Sequence, residues 1–160
     1  MTEPFYPGLK ANGCNFIMTH ETTLRLDIVS AEKEIFSGDV SMVFVTGELG
    51  ELGIAPGHSQ LLTALKPGYV RAIKANREEE IFYISGGMLE VQPYIASVLA
   101  DTATRAADID EAEALQAKEA AERMLAGKTS AIDIARATVE LAELTAQIKT
   151  IQHLKKMKRG

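Results

Sequence analysis

Cysteine is all but missing from this chain. Cys14 is the only one in 160 residues, so no intrachain disulfide can form and no cysteine-based metal cluster can be built. Histidine supplies no substitute, because His20, His58 and His153 are scattered without metal-ligand spacing. No apolar run approaches the roughly 20 residues that a bilayer-spanning helix needs. The first residues also lack the basic start and apolar core of a signal peptide. Strong charge is absent too: a net charge of −5 is mild and argues against a partner whose many phosphates must be neutralised, such as nucleic acid. What is present is 46% apolar residues with modest charge, the composition of a soluble globular protein, and cytoplasmic by its cysteine usage. The length suits one domain, or a small domain with an appendage. Any work at a membrane would depend on partners that hold the chain there.

Residues 1–21 carry prolines and glycines without periodicity and are expected to form a disordered leader or extension, with Met18 as the native start. The rival reading is an ordered arm anchored by Phe5, Tyr6 and Phe16. From Thr22 the pattern changes to period two, with Leu24, Leu26 and Ile28 on one face and Arg25 and Asp27 on the other. Further short strands are predicted near Glu34–Ser37, Ser41–Val45, Gly53–Ala55, Tyr69–Lys74, Glu80–Ser85, Gly86–Gln92 and Tyr94–Ala100. Turn signals separate them, including Ser37-Gly38, Lys66-Pro67-Gly68 and Pro93. Residues 22–107 therefore read as an antiparallel β-sandwich or flattened barrel. Its expected core is Leu26, Ile28, Val43, Val45, Leu62, Val70, Ile73, Phe82, Ile84, Leu89, Val91 and Val98.

After Asp101 the strand signals stop, and residues 108–160 read as a two-helix hairpin, giving an α+β chain. Asp108 and Glu111 make a capping-box-like start. The first helix is expected from about Ile109 to Leu125, ending at Gly127 in the left-handed conformation. The second should run from Ser130 to about Met157, roughly 40 Å at 1.5 Å per residue. Its apolar residues form two stripes: Ala137, Leu141, Leu144, Ile148 and Ile151 on one side, Ile132, Ala135, Val139, Ala142 and Ala146 nearly opposite. Burial on two sides explains this, as does a helix with different surroundings in two conformations.

The stretch Thr46–Leu62, TGELGELGIAPGHSQLL, has glycines at positions 47, 50 and 53 followed by Pro56-Gly57, and reads as a shaped loop on a rigid support. His58-Ser59 beside Glu48 and Glu51 does not make a hydrolase, since no third group or oxyanion site accompanies them. Gly86-Gly87 opens a strand, not a helix, so it lacks the helix N-terminus of a phosphate cradle. No catalytic and no metal-binding residue is identified.

Three segments in order, SGDVSMVFVTGELGELGIAPGHSQLLTALKPGYVRAI, FYISGGMLEVQP and VLADTATRAADIDEAEA, resemble the epsilon subunits of bacterial rotary (F-type) ATP synthases from about Leu24 to near the C-terminus. The resemblance implies a non-catalytic central-stalk part of a proton-translocating ATP synthase, peripheral on the cytoplasmic side of the bacterial inner membrane. The sandwich would join the gamma shaft to the c-ring. Glu48, Leu49, Gly50, Glu51, Leu52, Gly53 and His58 match the c-ring-facing loop, whose bland alternative is a merely solvated loop. Ile132, Asp133, Arg136 and Ala137 fit the family's Ile/Leu-Asp-x-x-Arg-Ala pattern for a regulatory ATP, the only cofactor implied; the alternative is an ordinary helical ion pair. The second helix would be inhibitory when extended towards the alpha and beta headpiece, using Leu141, Leu144, Ile148 and Ile151 and the basic Lys149, Lys155, Lys156, Lys158 and Arg159. The bland reading of that basic run is a frayed, solvated end. A free-standing cytoplasmic ATP-sensing module is the alternative function.

Overall fold

The computed structural model describes residues 23–127 and 130–158. Nine strands are followed by two helices: β1 (Leu24–Ser30), β2 (Glu34–Val40), β3 (Met42–Gly47), β4 (Gly50–Ile54), β5 (Leu61–Ile73), β6 (Glu79–Ile84), β7 (Gly87–Gln92), β8 (Ile95–Ala100), β9 (Ala103–Arg105), α1 (Glu111–Ala126) and α2 (Ala131–Lys158). The expected sandwich and helix pair are both present. The expectation for residues 1–21 lies outside the described residues.

The two layers share one long strand. β5 pairs through Leu61–Leu65 with β7, and through Gly68–Ile73 with β6. One layer thus runs β2-β1-β8-β7-β5, while β3 and β4 on one side of β5 and β6 and β9 on the other make the second. Pro67-Gly68, expected to be a turn between strands, lies inside β5 at the point where it changes layers. A Cβ at Gly68 would meet Thr46 Cβ at 2.5 Å, so only glycine lets β3 approach the bend. The sandwich departs from purely antiparallel order at one place, where β1 and β8 pair in parallel. β9 was not expected; it adds three residues to the edge of β6.

Alternation along each strand fills the space between the layers. Leu24, Leu26, Ile28, Val43, Val45, Val70, Phe82, Ile84, Leu89, Val91 and Val98 are buried there, with Phe36 packed on Phe82 at a ring-centroid distance of 5.3 Å. Two expected core residues face outward instead. Leu62 pairs with Glu90 on the outer face of the first layer and is 67% exposed, because Leu61 and Leu65 take the inward positions. Ile73 is out of phase with the buried Val70 and Ala72 and is only half-buried.

The helix pair starts later than expected. Residues 106–108 form a short 3-10 helix, and the cap of α1 is Asp110, which accepts from Ala112 N and Glu113 N. Asp110 with Glu113 has the spacing attributed to Asp108 and Glu111. Gly127 ends α1 with φ −96°, so the expected left-handed step is not there. The Lys155–Glu111 ion pair joins the last turns of α2 to the first of α1, which makes the pair antiparallel.

Candidate functional site

β3 and β4 form a tight hairpin where a longer loop was expected. Gly47 pairs with Gly50, leaving Glu48 and Leu49 as the turn. The left-handed step falls on Gly50, at φ 142°. The tip is fully solvated, and Leu49 is 103% exposed. Glu51, Leu52 and Gly53 lie within β4, whereas His58 lies in the loop beyond the strand's far end, where His58 N donates to Ala55 O. At about 3.4 Å per residue, the five-residue strand separates tip and His58 loop by roughly 15 Å. They are not one cluster. They do share one sheet edge, because β4 ends the strand order and, among the described residues, offers an unpaired row of backbone groups.

The outer face of the second layer is covered by α2. Tyr69 N donates to Thr46 Oγ1, Tyr69 Oη donates to Glu51 Oε1 at 3.0 Å, and the Tyr69 ring stacks on His153 of α2 at 4.8 Å between centroids. Burial, with the Glu51 carboxylate adding to it, raises the Tyr69 pKa, while Arg71 acts the other way. Arg71 itself lies over the Phe44 ring at 4.1 Å and pairs with Glu79. Tyr83, next to Tyr69 across β5 and β6, is buried under the helices, and its hydroxyl has no hydrogen-bond partner among the described residues. Burial first and the Glu143 carboxylate second push its pKa to about 12; Gln147 pulls weakly the other way without reaching bonding geometry.

An unpaired buried hydroxyl costs about 1–3 kcal/mol, so Tyr83→Phe is expected to keep or raise the melting temperature near neutral pH. The wild-type chain should also lose stability as pH rises from about 10, the ordinary tyrosine value, to about 12, because the unfolded chain releases the proton first. Thermal melts from pH 9 to 12 should show that decline shrinking in Tyr83→Phe. An identical alkaline decline in both proteins would reject the assignment to Tyr83.

Among the described residues nothing covers the outer face of the first layer. Leu62, Met88, Ile95 and Leu99 project from β5, β7 and β8 and are 67%, 39%, 43% and 54% exposed. They share that face with the exposed Glu90 and Gln92, and four large apolar side chains there make it a candidate interaction surface. Sequence reasoning missed it; the signal was apolar residues at alternate positions on both faces of the same strands.

The two stripes of α2 differ in the structure. Ala137, Ile148 and Ile151 are buried and Leu141 and Leu144 partly so, while Ile132, Ala135, Val139 and Ala142 are exposed and only Ala146 of the second stripe is covered. Burial on two sides therefore does not explain the second stripe. Asp133 and Arg136 are exposed on the first turns of α2 and make no ion pair with each other. A groove of about 600 Å³ between α2 and the sandwich is lined by Glu51, Gly68, Tyr69, Thr138, Thr145 and Lys149, but by neither Asp133 nor Arg136. Lys149, Lys155, Lys156 and Lys158 are exposed, and Arg159 lies outside the described residues. Among the described residues no acidic or histidine cluster could hold a metal ion, and no helix is long and apolar enough to cross a membrane.

Comparison with known proteins agrees with this architecture. Residues 23–106 match the family model of the ATP synthase delta/epsilon chain β-sandwich domain, and residues 107–152 match that of its long α-helix domain. An ATP synthase epsilon chain from Nitrosococcus oceani is 57% identical over 134 residues, covering 84% of this chain and 96% of that one. A chain in the Euglena gracilis mitochondrial ATP synthase structure with OSCP, F1 and c-ring shares the fold, with a TM-score of 0.73 over 91% of this chain and 96% of that chain at 19% identity. A chain in the Tetrahymena thermophila mitochondrial central stalk and c-ring structure does so at a TM-score of 0.52 over 80% of this chain and 96% of that chain, with 14% identity. Sandwich, helix pair and sequence agree over most of the chain, which belongs to the epsilon subunits of bacterial F-type ATP synthases.

Proposed function

We propose that this subunit works as a non-catalytic rotor component, with its sandwich between the gamma shaft and the c-ring, on the cytoplasmic side of the inner membrane. The observation that carries this reading is two surfaces of the sandwich that no described residue covers: the apolar face of Leu62, Met88, Ile95 and Leu99, and the β4 edge with its solvated tip. The apolar face suits a tightly packed shaft contact. Glu48 to Gly53 and His58, strung along one edge, suit the polar and basic loops of a ring met broadside. The solved relatives come from c-ring and central-stalk assemblies, which supports the same placement.

The test is crosslinking in the assembled enzyme, in a Cys14→Ser background. Cysteine at Leu99 should crosslink to gamma, and cysteine at Glu51 or His58 to c-ring loops. Crosslinks from Glu51 and His58 only to the upper beta subunits, or failure to co-purify with gamma, would refute the rotor reading and favour a free-standing sensor.

The helix hairpin is the regulatory part of the proposal. Its compact form buries the Ile148 and Ile151 stripe, and its extended form presents the basic end to the headpiece and inhibits ATP hydrolysis. Regulatory ATP is proposed at Ile132, Asp133, Arg136 and Ala137, where the Arg136 side chain is exposed and its guanidinium suits phosphate. At millimolar ATP the melting temperature of the isolated chain should rise by mass action, and Arg136→Ala should abolish the rise. A melting curve that ATP leaves unchanged would remove ATP from the reading and leave the rotor role standing.

A further inference from the structure

The contacts of Tyr69 join two parts of the chain that have no reason, by sequence, to communicate. Its hydroxyl donates to Glu51 on β4, its backbone N–H donates to Thr46 on β3, and its ring carries the His153 ring of α2. Thr46 and Glu51 are themselves register partners in the β3–β4 hairpin. The bend at Gly68, where a side chain would strike Thr46, brings Tyr69 against that hairpin. The ring is therefore fixed at its backbone end by Thr46 and at its hydroxyl end by Glu51. What it presents to α2 is an oriented flat surface, stacked at 24° to His153.

We propose that Glu51, Tyr69 and His153 form a latch that makes docking of the last turns of α2 conditional on the state of the β3–β4 hairpin. A cation that draws the exposed Glu51 carboxylate away removes the acceptor of the Tyr69 hydroxyl, frees the ring to turn, and weakens the stack under His153. The groove beside Tyr69 gives the ring room for that turn. By linkage the effect is reciprocal: undocking α2 loosens the hold of Tyr69 on Glu51. The burial that raises the Tyr69 pKa agrees with a hydroxyl kept as a donor in the docked state. The second tie on the same turns, Lys155 to Glu111, runs to α1 and is independent of the hairpin. The coupling stands on contacts within this chain alone. That a c-ring loop supplies the cation in the assembled enzyme rests on the rotor reading above.

Hydrogen exchange of the intact isolated chain tests the latch without the complex. The readout is amide protection in residues 150–157, referenced to the core amides of Val70 and Phe82. Loss of one hydrogen bond predicts roughly fivefold faster exchange there, so Glu51→Ala and Tyr69→Phe should each accelerate it by about that factor. The double variant should go no further than either single one, because both remove the same bond. His153→Ala should accelerate exchange as well, and adding Glu51→Ala to it should bring no further change. Glu111→Ala serves as the independent control and should multiply with Glu51→Ala. The proposal is overturned if Glu51→Ala leaves residues 150–157 unchanged, if its effect multiplies with that of His153→Ala, or if the core amides accelerate equally. Should the latch hold while the crosslinks above fail, the intrachain coupling survives and only its use in the rotor is lost.

Discussion

Gly87→Ala is expected to lower the melting temperature of the isolated chain by roughly 5–25 °C, and to prevent folding at the upper end of that range. Two independent penalties meet at this position. Gly87 has φ 134°, which an L side chain rarely adopts, at a cost of about 1–3 kcal/mol. A Cβ there would also lie 2.1 Å from Leu99 O and 2.9 Å from Ala100 Cα, both backbone atoms of β8. Those atoms have no freedom to retreat, because β8 is hydrogen-bonded on its other side to β1. Overpacking of this kind adds about 1–3 kcal/mol. Together the two penalties approach the lower part of the ~5–15 kcal/mol stability of an ordinary domain, and each kcal/mol moves the melting temperature of a chain this size by about 2–4 °C. Gly50→Ala separates the two terms. Gly50 has φ 142°, close to that of Gly87, with nothing within 4 Å of its Cβ position, so only the backbone penalty applies. Melts of both variants by circular dichroism should place Gly87→Ala well below Gly50→Ala, and coincident curves would reject the steric account.

The contrast between these glycines also indicates what could be read from sequence. Period-two alternation located β1, and short strand-like runs bounded by turn residues located β6, β7 and β8 nearly to the residue. It misplaced Leu62 because β5 is apolar on both faces, one turned to the core and one to the bare outer surface, and composition alone cannot say which is which. Pro67-Gly68 reads as a turn for sound local reasons, yet the strand passes through it, since β7 pairs with it before the bend, β6 after the bend, and β3 on either side. The parallel pairing of β1 with β8 is a property of distant register, which no local pattern carries. The site follows the same rule. The β4 edge, the exposed stripe of α2 and the basic end were legible as residues, whereas the Glu51–Tyr69–His153 chain joins three elements far apart in sequence and exists only once the sandwich has folded.

On the proposed reading, removing the basic end of α2 is expected to raise ATP hydrolysis by the assembled enzyme several-fold while leaving assembly and synthesis intact. The compact form holds α2 by Ile148, Ile151, the His153 stack and the Lys155–Glu111 pair, while Lys149, Lys156 and Lys158 are exposed and contribute little to it. Their charge is therefore available to the extended form. At 28 residues and 1.5 Å per residue, α2 is about 42 Å long, enough to carry its end from the base of the headpiece towards the catalytic subunits. An exposed ion pair contributes only ~0.2–1 kcal/mol, so Lys149, Lys155, Lys156, Lys158 and Arg159 together supply on the order of 1–5 kcal/mol. A bias of a few kcal/mol between compact and extended states is of the same size, and each loss of about 1.4 kcal/mol cuts the extended population tenfold. Two variants distinguish charge from packing. Truncation of residues 149–160 also removes the buried Ile151 and the His153 stack, and so weakens both states. Alanine at the five basic positions leaves Ile148, Ile151 and His153 in place, removes the attraction at the headpiece, and among the described residues costs the compact form only the Glu111 pair. Hydrolysis should rise in both, and the rise in the alanine variant should be reproduced in the wild type by high salt, which screens exposed pairs. If the alanine variant hydrolyses at the wild-type rate while the truncation is faster, the brake lies in the apolar and aromatic side chains that the truncation removes, Ile151 and His153 among them; if neither is faster, with assembly verified, this segment is not the brake.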